Sequence, residues 1–479
     1  MIFYLSDHGF GHASRSIPII KSLLSSNESL NVIVKTGLLQ GEFIESNFLG
    51  ESRLSVIKES LDVGIVLKPM SFEIDASCLE RRVHEYVQSW DERIMKEVKF
   101  LGSLQPDLIV SDIVPWVFHA ANRLQIKSVL MTNFTWVEIY KEYLDLPLVK
   151  AYQDSYALAN EVLIYDLSGV QMKEQFIKYD EVSLCARPFD LLAVDEIQSQ
   201  YDQPLVFVSV GRSVDLIEKI DVSNEPYHFI VTEGIQLVGE NVTYLPKETP
   251  NTQDYILASE IVITKAGFGT LAEALLAKKK IAVIERNRIA EDRATVEWLV
   301  SRHLAWPVQY NGGLAVSSIL RNLEKWEPNY EDVHLSNDAD KISRLLMQFA
   351  HENPGHRWIS LTSYGKKEMG YLVPLDEGIP FVVKRIFYLT DIPNGVHRGR
   401  HAYYETKQVL ICVSGEVKVK CQEGEREVTY CLKDNKHGLY LEPSVWREAY
   451  DFSQGAVLLV LSSKEYDEAD AQREDILKQ

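Results

Sequence analysis

Residues 395–419 read GVHRGRHAYYETKQVLICVSGEVKV. QVLICV is a continuous apolar run rich in β-branched residues, Ser414-Gly415 supplies a turn, and EVKVK alternates charged and apolar residues. That is a strand, a tight turn and a second strand. Ahead of them, His401 and Tyr403 stand two apart in RGRHAYY, so a strand there puts both on one face. Runs of the same kind follow on either side: FVVKRIFYL (381–389), REVTYCL (426–432), GLYLEP (438–443) and AVLLVLSS (456–463). From Tyr371 onward the pattern is an all-β barrel or sandwich of about 100 residues. The tail KEYDEADAQREDILKQ (464–479) reads as a charged helix, capping the barrel or facing solvent.

Toward the N-terminus the pattern changes. MIFYL (1–5) is a short apolar strand, followed by a Gly-rich turn and by ASRSIPIIKSLLSS (13–26), which has helical spacing. NVIVKTG (31–37) is a strand and CLERRVHEYVQSWDERIMKEVKFLGSL (78–104) one long amphipathic helix. PDLIVSD (106–112), WVFHAANRLQ (116–125) and SVLMTN (128–133) follow as strand, helix and strand. The alternation restarts after Pro204 with PLVFVSVGRS (204–213), HFIVTEG (228–234), EIVITKAGFG (260–269), TLAEALLAKKK (270–280), KIAVIER (280–286) and EDRATVEWLVSRHL (291–304). Residues 309–356 read as helix, polar linker and helix. Strand–helix alternation means parallel, doubly wound sheets. The expected fold class is therefore α/β plus all-β. Two doubly wound Rossmann-like domains span 1–190 and 191–350, and a β-barrel of jelly-roll type spans 357–479. Ligands of paired α/β domains bind in the cleft at the strand C-terminal ends.

The chain has 479 residues, with 69 acidic and 50 basic ones and a net charge of -19. That balance argues against a nucleic-acid binder, which would show a basic stripe, but leaves room for one phosphate-bearing small ligand. No apolar run approaches the roughly 18 residues of a membrane span. MIFYLSDHGFGH lacks the basic front and cleavage site of a signal peptide, so a cytoplasmic protein is expected. The five cysteines form no CxxC pair and read as reduced thiols. Cys421 and Cys431, both in the barrel stretch, are placed to face each other.

Two turns carry the chemistry of the first two domains. In SDHGFGHASR (6–15), Gly9 and Gly11 allow a tight strand-to-helix turn whose helix N-terminus offers N–H groups to an anion. TKAGFGTLAEA (264–274) repeats the device in the second domain: Gly267 and Gly269 open a helix that Thr270 is placed to cap. Two such turns facing one cleft suit a diphosphate. Glu273, one turn further on, is placed to accept hydrogen bonds from ribose hydroxyls or simply to face solvent. HGFGHASR, PDLIVSDIVPW, TNFTW and ITKAGFGTLAEALLAKKKIAVIERNRIAEDR together resemble the GT-B-fold glycosyltransferases. The likeness is to the glycosyltransferase-like half of the L-arabinokinases and covers roughly residues 1–330. It implies that the second domain holds a nucleotide, with Glu273 at the ribose. It puts His12 near the diphosphate and the acceptor, either as general base or as a hydrogen-bonding group. Arg15, Asp112 and Asn133 are further candidates.

The stretch 395–419 also fits a cupin frame. Cupins space metal ligands as HxH, then Glu, then Gly. Here the frame holds His401, Tyr403, Gln408 and Gly415, and EPSVWREAY offers Arg447 where a further histidine would stand. Tyrosine, glutamine and arginine are poor partners for a divalent ion, so neither metal nor other cofactor is expected and His401 is left for proton chemistry. PFVVKRIFY, RGRHAYYETKQVLICVSGEVKV and GLYLEPSVWREAYDFSQGAVLLVLSSKEYDEAD resemble the WxcM-like sugar-nucleotide 3,4-ketoisomerases that act on dTDP-4-keto-6-deoxyglucose. The resemblance implies that His401 is the base moving a proton from C3 to C4 through an enediol. It implies Arg385 and Arg398 at the diphosphate or enediolate, and Tyr388 and Trp446 stacked on sugar or thymine. The family's second histidine is Tyr403 here, and Arg447 replaces the histidine after the tryptophan. The relatives dimerise through their barrels, so a homodimer is expected.

The combined expectation is a bifunctional nucleotide-sugar enzyme of deoxysugar or polysaccharide biosynthesis. Its partners are a dTDP-linked keto-deoxysugar at the barrel, and a nucleotide-sugar donor with an undetermined acceptor at the glycosyltransferase-like half. The alternatives are a nucleotide-sugar-binding regulator or scaffold with a degenerate barrel, and a GT-B nucleotide-sugar hydrolase.

Overall fold

The computed structural model describes residues 1–473 apart from 69–72, 211–218, 247–248, 287–288, 311–312, 352–354, 367, 376–377 and 425. The loop part of PLVFVSVGRS, residues 211–213, lies outside the described residues. The chain forms two compact units: Met1–Lys173 with Val182–His351, and Glu174–Glu181 with Glu352–Gln479.

Among the described residues the first unit contains two large parallel sheets and a two-stranded parallel pair, Lys219–Asp221 with Gln236–Val238. One runs in the order Glu161–Tyr165, Ser128–Thr132, Ile109–Asp112, Ile2–Leu5, Val32–Thr36, Leu54–Lys58. The other runs Val242–Tyr244, His228–Val231, Leu205–Ser209, Ile261–Lys265, Lys280–Glu285, Trp306–Gln309. IFYL and SVLMT are buried at every position because helices cover both faces of a parallel sheet, which is why they read as unbroken apolar runs. Helix Ala339–His351, counted by sequence with the second α/β domain, returns to the first. It packs on helix Gly11–Ser26, where Ser22 Oγ donates to Asp340 Oδ1 at 2.6 Å.

The long helix expected over 78–104 is two, Ala76–Gln88 and Trp90–Leu104. Ser89 separates them: its hydroxyl donates to the Tyr86 carbonyl at 2.7 Å, and its N–H reaches Glu85 and Tyr86. A serine hydroxyl competing for backbone acceptors breaks a helix that apolar periodicity alone would carry through.

The second unit is an antiparallel barrel. One sheet is ordered His356–Ser360, His437–Leu441, Gln408–Ser414, Val457–Ser462, Arg385–Leu389. The other contains Ala471–Arg473, Arg398–Tyr403, Trp446–Tyr450, Val417–Glu423 and Arg426–Leu432. Between them lie Leu410, Val419, Val428, Leu439 and Val460. Three expectations change here. Residues 174–181, read with the first domain, belong to the barrel unit: Tyr179 pairs with Thr429, and Asp180 sits at the buried Arg426 guanidinium. The described part of the tail is not the expected charged helix: its only helical piece is a single 3-10 turn, Glu468–Asp470. Ala471–Arg473 adds a strand to the edge of Arg398–Tyr403, because an unpaired edge offers backbone partners that an isolated charged helix lacks; residues 474–479 lie outside the described residues. Cys421 opposes Val428 and Cys431 opposes Lys418, so the two cysteines project to opposite faces, and all five are free thiols.

Candidate functional site

The barrel site is assembled by register. Arg398 lies opposite Ala449, and His401 opposite Arg447. Opposed residues share a face, and Ala449 belongs to the barrel core, so Arg398, His401 and Arg447 point inward. In a regular strand Arg398 and His401, three apart, would face opposite ways. A bulge between Gly399 and His401 removes the conflict, with φ of 92° at Gly399 and 55° at Arg400. Arg385 and Gln408 both oppose Ser462 and share its face, and Gln408 Nε2 donates to Ser462 Oγ at 3.0 Å.

His401 Nδ1 stands 2.9 Å from the Gly399 carbonyl oxygen. A carbonyl only accepts, so Nδ1 carries the proton and Nε2 the basic lone pair. The imidazole meets the Tyr403 ring edge-on at 4.8 Å. Over the same ring lies Arg447, its Cζ 4.2 Å from the centroid. Arg447 Nη1 donates to the His401 carbonyl at 2.8 Å and Nη2 to Gln408 Oε1 at 2.5 Å. Burial pushes the Arg447 guanidinium down to about 10, against the opposing pull of Tyr403. Arg385 is held between Phe387 at 4.5 Å and Tyr466 at 4.6 Å. Sequence reading missed Tyr466, which lies outside every strand run.

Two expected residues are not brought into this group. Tyr388 alternates with Phe387, opposes Leu459 on the other face and is 65% exposed. Trp446 precedes Arg447 on its strand and opposes Gln422, so it also faces away from the interior. The frame's ligand positions do not fit a divalent ion either. A guanidinium lies among them and already occupies the Gln408 oxygen, and cation beside cation is repulsive.

In the first unit a cavity of about 380 Å³ is lined by both Gly-rich turns and by His12, Arg187, Lys265 and Glu273. Gly9 turns the chain with φ of 83°. A Cβ on Gly269 would stand 3.5 Å from Ser14 Cβ and 3.6 Å from Gly11 Cα, so the two turns approach closely. Gly267 is the N-cap of helix Phe268–Leu276. Thr270 is therefore inside the helix rather than capping it, and no side chain caps this end, leaving the first N–H groups for a ligand.

His12 Nδ1 lies 2.8 Å from Asp112 Oδ1, and Arg15 forks onto the same carboxylate, Nε to Oδ2 at 2.6 Å. Arg15 Nη1 also donates to Asn133 Oδ1 at 2.5 Å. Burial alone would raise Asp112, but Arg15 and His12 hold it below the usual carboxylate range. Burial lowers His12 despite Asp112, so the imidazole is neutral at pH 7. Glu273 is neither solvated nor unengaged. It is buried and receives Arg187 Nε at 2.8 Å and Nη2 at 3.2 Å. Arg187 further donates to the Pro250 carbonyl and to Thr252. Burial and the nearby Arg286 bring Lys265 down to about 8. Arg187, Lys265 and Arg286 escaped sequence reading because single cations in loops and at strand ends carry no periodic signal.

Residues 355–476 match the family model FdtA: WxcM-like, C-terminal. A relative from Aneurinibacillus thermoaerophilus, TDP-4-oxo-6-deoxy-alpha-D-glucose-3,4-oxoisomerase, is 40% identical over 103 residues, 21% of this chain and 74% of its own. The chain belongs to the FdtA, WxcM-like C-terminal family. The FdtA-like barrel is also similar to the crystal structure of a sugar 3,4-ketoisomerase from Thermoanaerobacterium thermosaccharolyticum in complex with TDP. That likeness has 39% identity, covers 25% of this chain and 89% of the other, and has a TM-score of 0.25. Ahead of the FdtA-like part, the chain is 27% identical over 316 residues to L-arabinokinase of Arabidopsis thaliana. That match spans 60% of this chain and 28% of the relative's length. Among the described residues, no helix is long and apolar enough to cross a membrane.

Proposed function

We propose that the barrel converts a TDP-linked 4-keto-6-deoxyhexose to its 3-keto isomer, and that the N-terminal half is a glycosyltransferase-like module handling a nucleotide sugar. The observation that carries the first part is His401, held in one tautomer by Gly399 and turned inward by a bulge opposite Arg447. Its Nε2 takes the C3 proton. The C3–H electron pair becomes the C3=C4 bond, and the C4 carbonyl pair moves to O4. The O3 proton passes to O4, C4 is protonated, and the C3 carbonyl forms. C3 is oxidised and C4 reduced within one molecule, so no redox partner is needed. Tyr403 is the hydrogen-bond donor or proton shuttle, and Arg385 and Arg398 take the diphosphate.

The test is incubation of the full chain with TDP-4-keto-6-deoxyglucose in deuterated water, followed by proton NMR beside His401→Ala. Loss of the C3 proton signal and a new 3-keto product are expected in the wild type only. Equal exchange in the variant would remove His401 from the role of base.

The barrel is further proposed to form a homodimer. Apolar side chains exposed on strand Arg385–Leu389, Ile386 and Tyr388, and on the hairpin of Tyr364–Lys366 with Gly370–Leu372, Met369 and Leu372, support this. A monomer in sedimentation at micromolar concentration would contradict it.

For the N-terminal half, two meeting glycine turns and the cations Lys265 and Arg286 support a nucleotide diphosphate. A second reading, binding without transfer, is favoured by the Arg187–Glu273 fork, which already engages the expected ribose acceptor, and by Arg15, which shares Asp112 with His12. Release or transfer of sugar from TDP-sugars that disappears in His12→Ala would decide for catalysis. Nucleotide binding without turnover would decide for the second reading.

A further inference from the structure

Arg447 is buried, and among the described residues its hydrogen-bond and ring partners are uncharged: the His401 carbonyl, the Gln408 carboxamide and the Tyr403 ring; the Asp470 carboxylate acts on it only from beyond ion-pair distance. A buried cation is normally matched by a carboxylate, because desolvating an unmatched charge is costly. The same unit follows that rule at Arg426, which is equally buried and has Asp180 beside it. Arg447 departs from it while directly opposite His401 on the inner face. Its position is also held from behind, since Gln408, which accepts from Nη2, is itself anchored to Ser462. A pre-oriented positive charge with no anion in direct contact, set across from a base, is the arrangement that stabilises negative charge appearing during reaction.

We infer that Arg447 binds the enediolate oxygen formed when His401 removes the C3 proton, supplying with a guanidinium the positive charge that a metal supplies in a metal-bearing barrel of this frame. The inference rests on the isomerase reading above and adds to it the group that carries the reaction's charge. As the C3–H pair moves into the C3=C4 bond, the electrons displaced from the C4 carbonyl come to rest on O4. Arg447 pairs with that oxygen until the O3 proton passes to it and the charge moves to O3. No electron or proton leaves the substrate–protein pair, and Arg447 stays protonated throughout. The ground-state ketone is neutral, so the pairing strengthens only as reaction proceeds. The effect therefore falls on kcat and on C3 exchange, not on the affinity for TDP.

The experiment compares wild type with Arg447→Met and Arg447→Lys in the full chain. It reads C3 proton exchange in deuterated water, kcat for product formation, TDP affinity by calorimetry and the thermal midpoint. Expected are a loss of about 10²–10³-fold in kcat and exchange for Arg447→Met, TDP affinity within about twofold of wild type, and a smaller loss for Arg447→Lys, which keeps the charge without the fork. Should the Met variant not fold, the Lys variant carries the test: lowered kcat with retained TDP affinity supports the inference. Unchanged exchange in either folded variant overturns it. So does a loss of TDP affinity that parallels the loss of kcat, which would make Arg447 a diphosphate ligand. Absence of exchange in the wild type itself would overturn the isomerase reading and this inference together.

Discussion

Tyr403 concentrates the question of what this barrel does with one histidine where its relatives' frame has two. A phenol donates a proton or a hydrogen bond more readily than it accepts one. Its ring is fixed between the His401 edge and the Arg447 face. If Tyr403 delivers the proton to C4, Tyr403→Phe separates the two half-reactions. C3 exchange with solvent continues, while 3-keto product formation falls by about 10²–10⁴-fold. Proton NMR in deuterated water reads both in one tube. Parallel loss of exchange and product would instead assign Tyr403 to the first step. His401 and Tyr403 were legible in the sequence because strand period puts i and i+2 on one face. Their relation to Arg447 was not, since it depends on which residue of a strand 46 positions later falls opposite.

Among the elements, strand Arg398–Tyr403 is the one whose local geometry decides the site. Without its bulge Arg398 and His401 could not share an interior. The bulge depends on Gly399, whose φ of 92° suits glycine and whose added Cβ would stand 2.9 Å from the Arg447 carbonyl oxygen. Gly399→Ala is expected to destabilise the barrel by about 1–3 kcal/mol and to lower kcat further than the lost stability explains. Urea midpoints beside steady-state rates test this; unchanged values in both would show that the bulge does not aim His401. The alternation of strands 385–389 and 446–450 teaches the opposite lesson. A motif match carried Tyr388 and Trp446 into the pocket, whereas the pleat turns each away from its neighbour. Counting by two from Arg385 and Arg447 would have found this from sequence alone. The split at Ser89 was also within reach, since a serine amid an apolar periodicity is a candidate break. The strand made by Ala471–Arg473 was not, because its only cause is the edge it covers.

For the protein as a folded chain, the barrel does not end where its composition does. Asp180 lies far upstream yet meets the buried Arg426 Nε at 3.3 Å. Taking the carboxylate from a buried guanidinium costs about 3–5 kcal/mol. Asp180→Asn in the full chain is therefore expected to lower the barrel's thermal midpoint by several degrees, and a fragment beginning at residue 355 to be destabilised in the same sense. Calorimetry of both would check it, and a fragment as stable as the intact barrel would show that residues 174–181 contribute nothing.

The fold class and the pairing of His401 with Tyr403 on one strand face follow from the amino-acid sequence. Both rest on local rules: apolar runs for buried parallel strands, alternation for a half-exposed antiparallel barrel, glycines where helices open toward a ligand. Only the tertiary structure decided how the charges are matched. It paired Glu273 with Arg187, shared Asp112 between His12 and Arg15, brought Asp180 to Arg426, and left Arg447 hydrogen-bonded to uncharged groups opposite His401. Periodicity reports which side of an element is buried. Which charge meets which across the fold depends on register and long-range packing, and in this protein those pairings separate a structural arginine from one poised for chemistry.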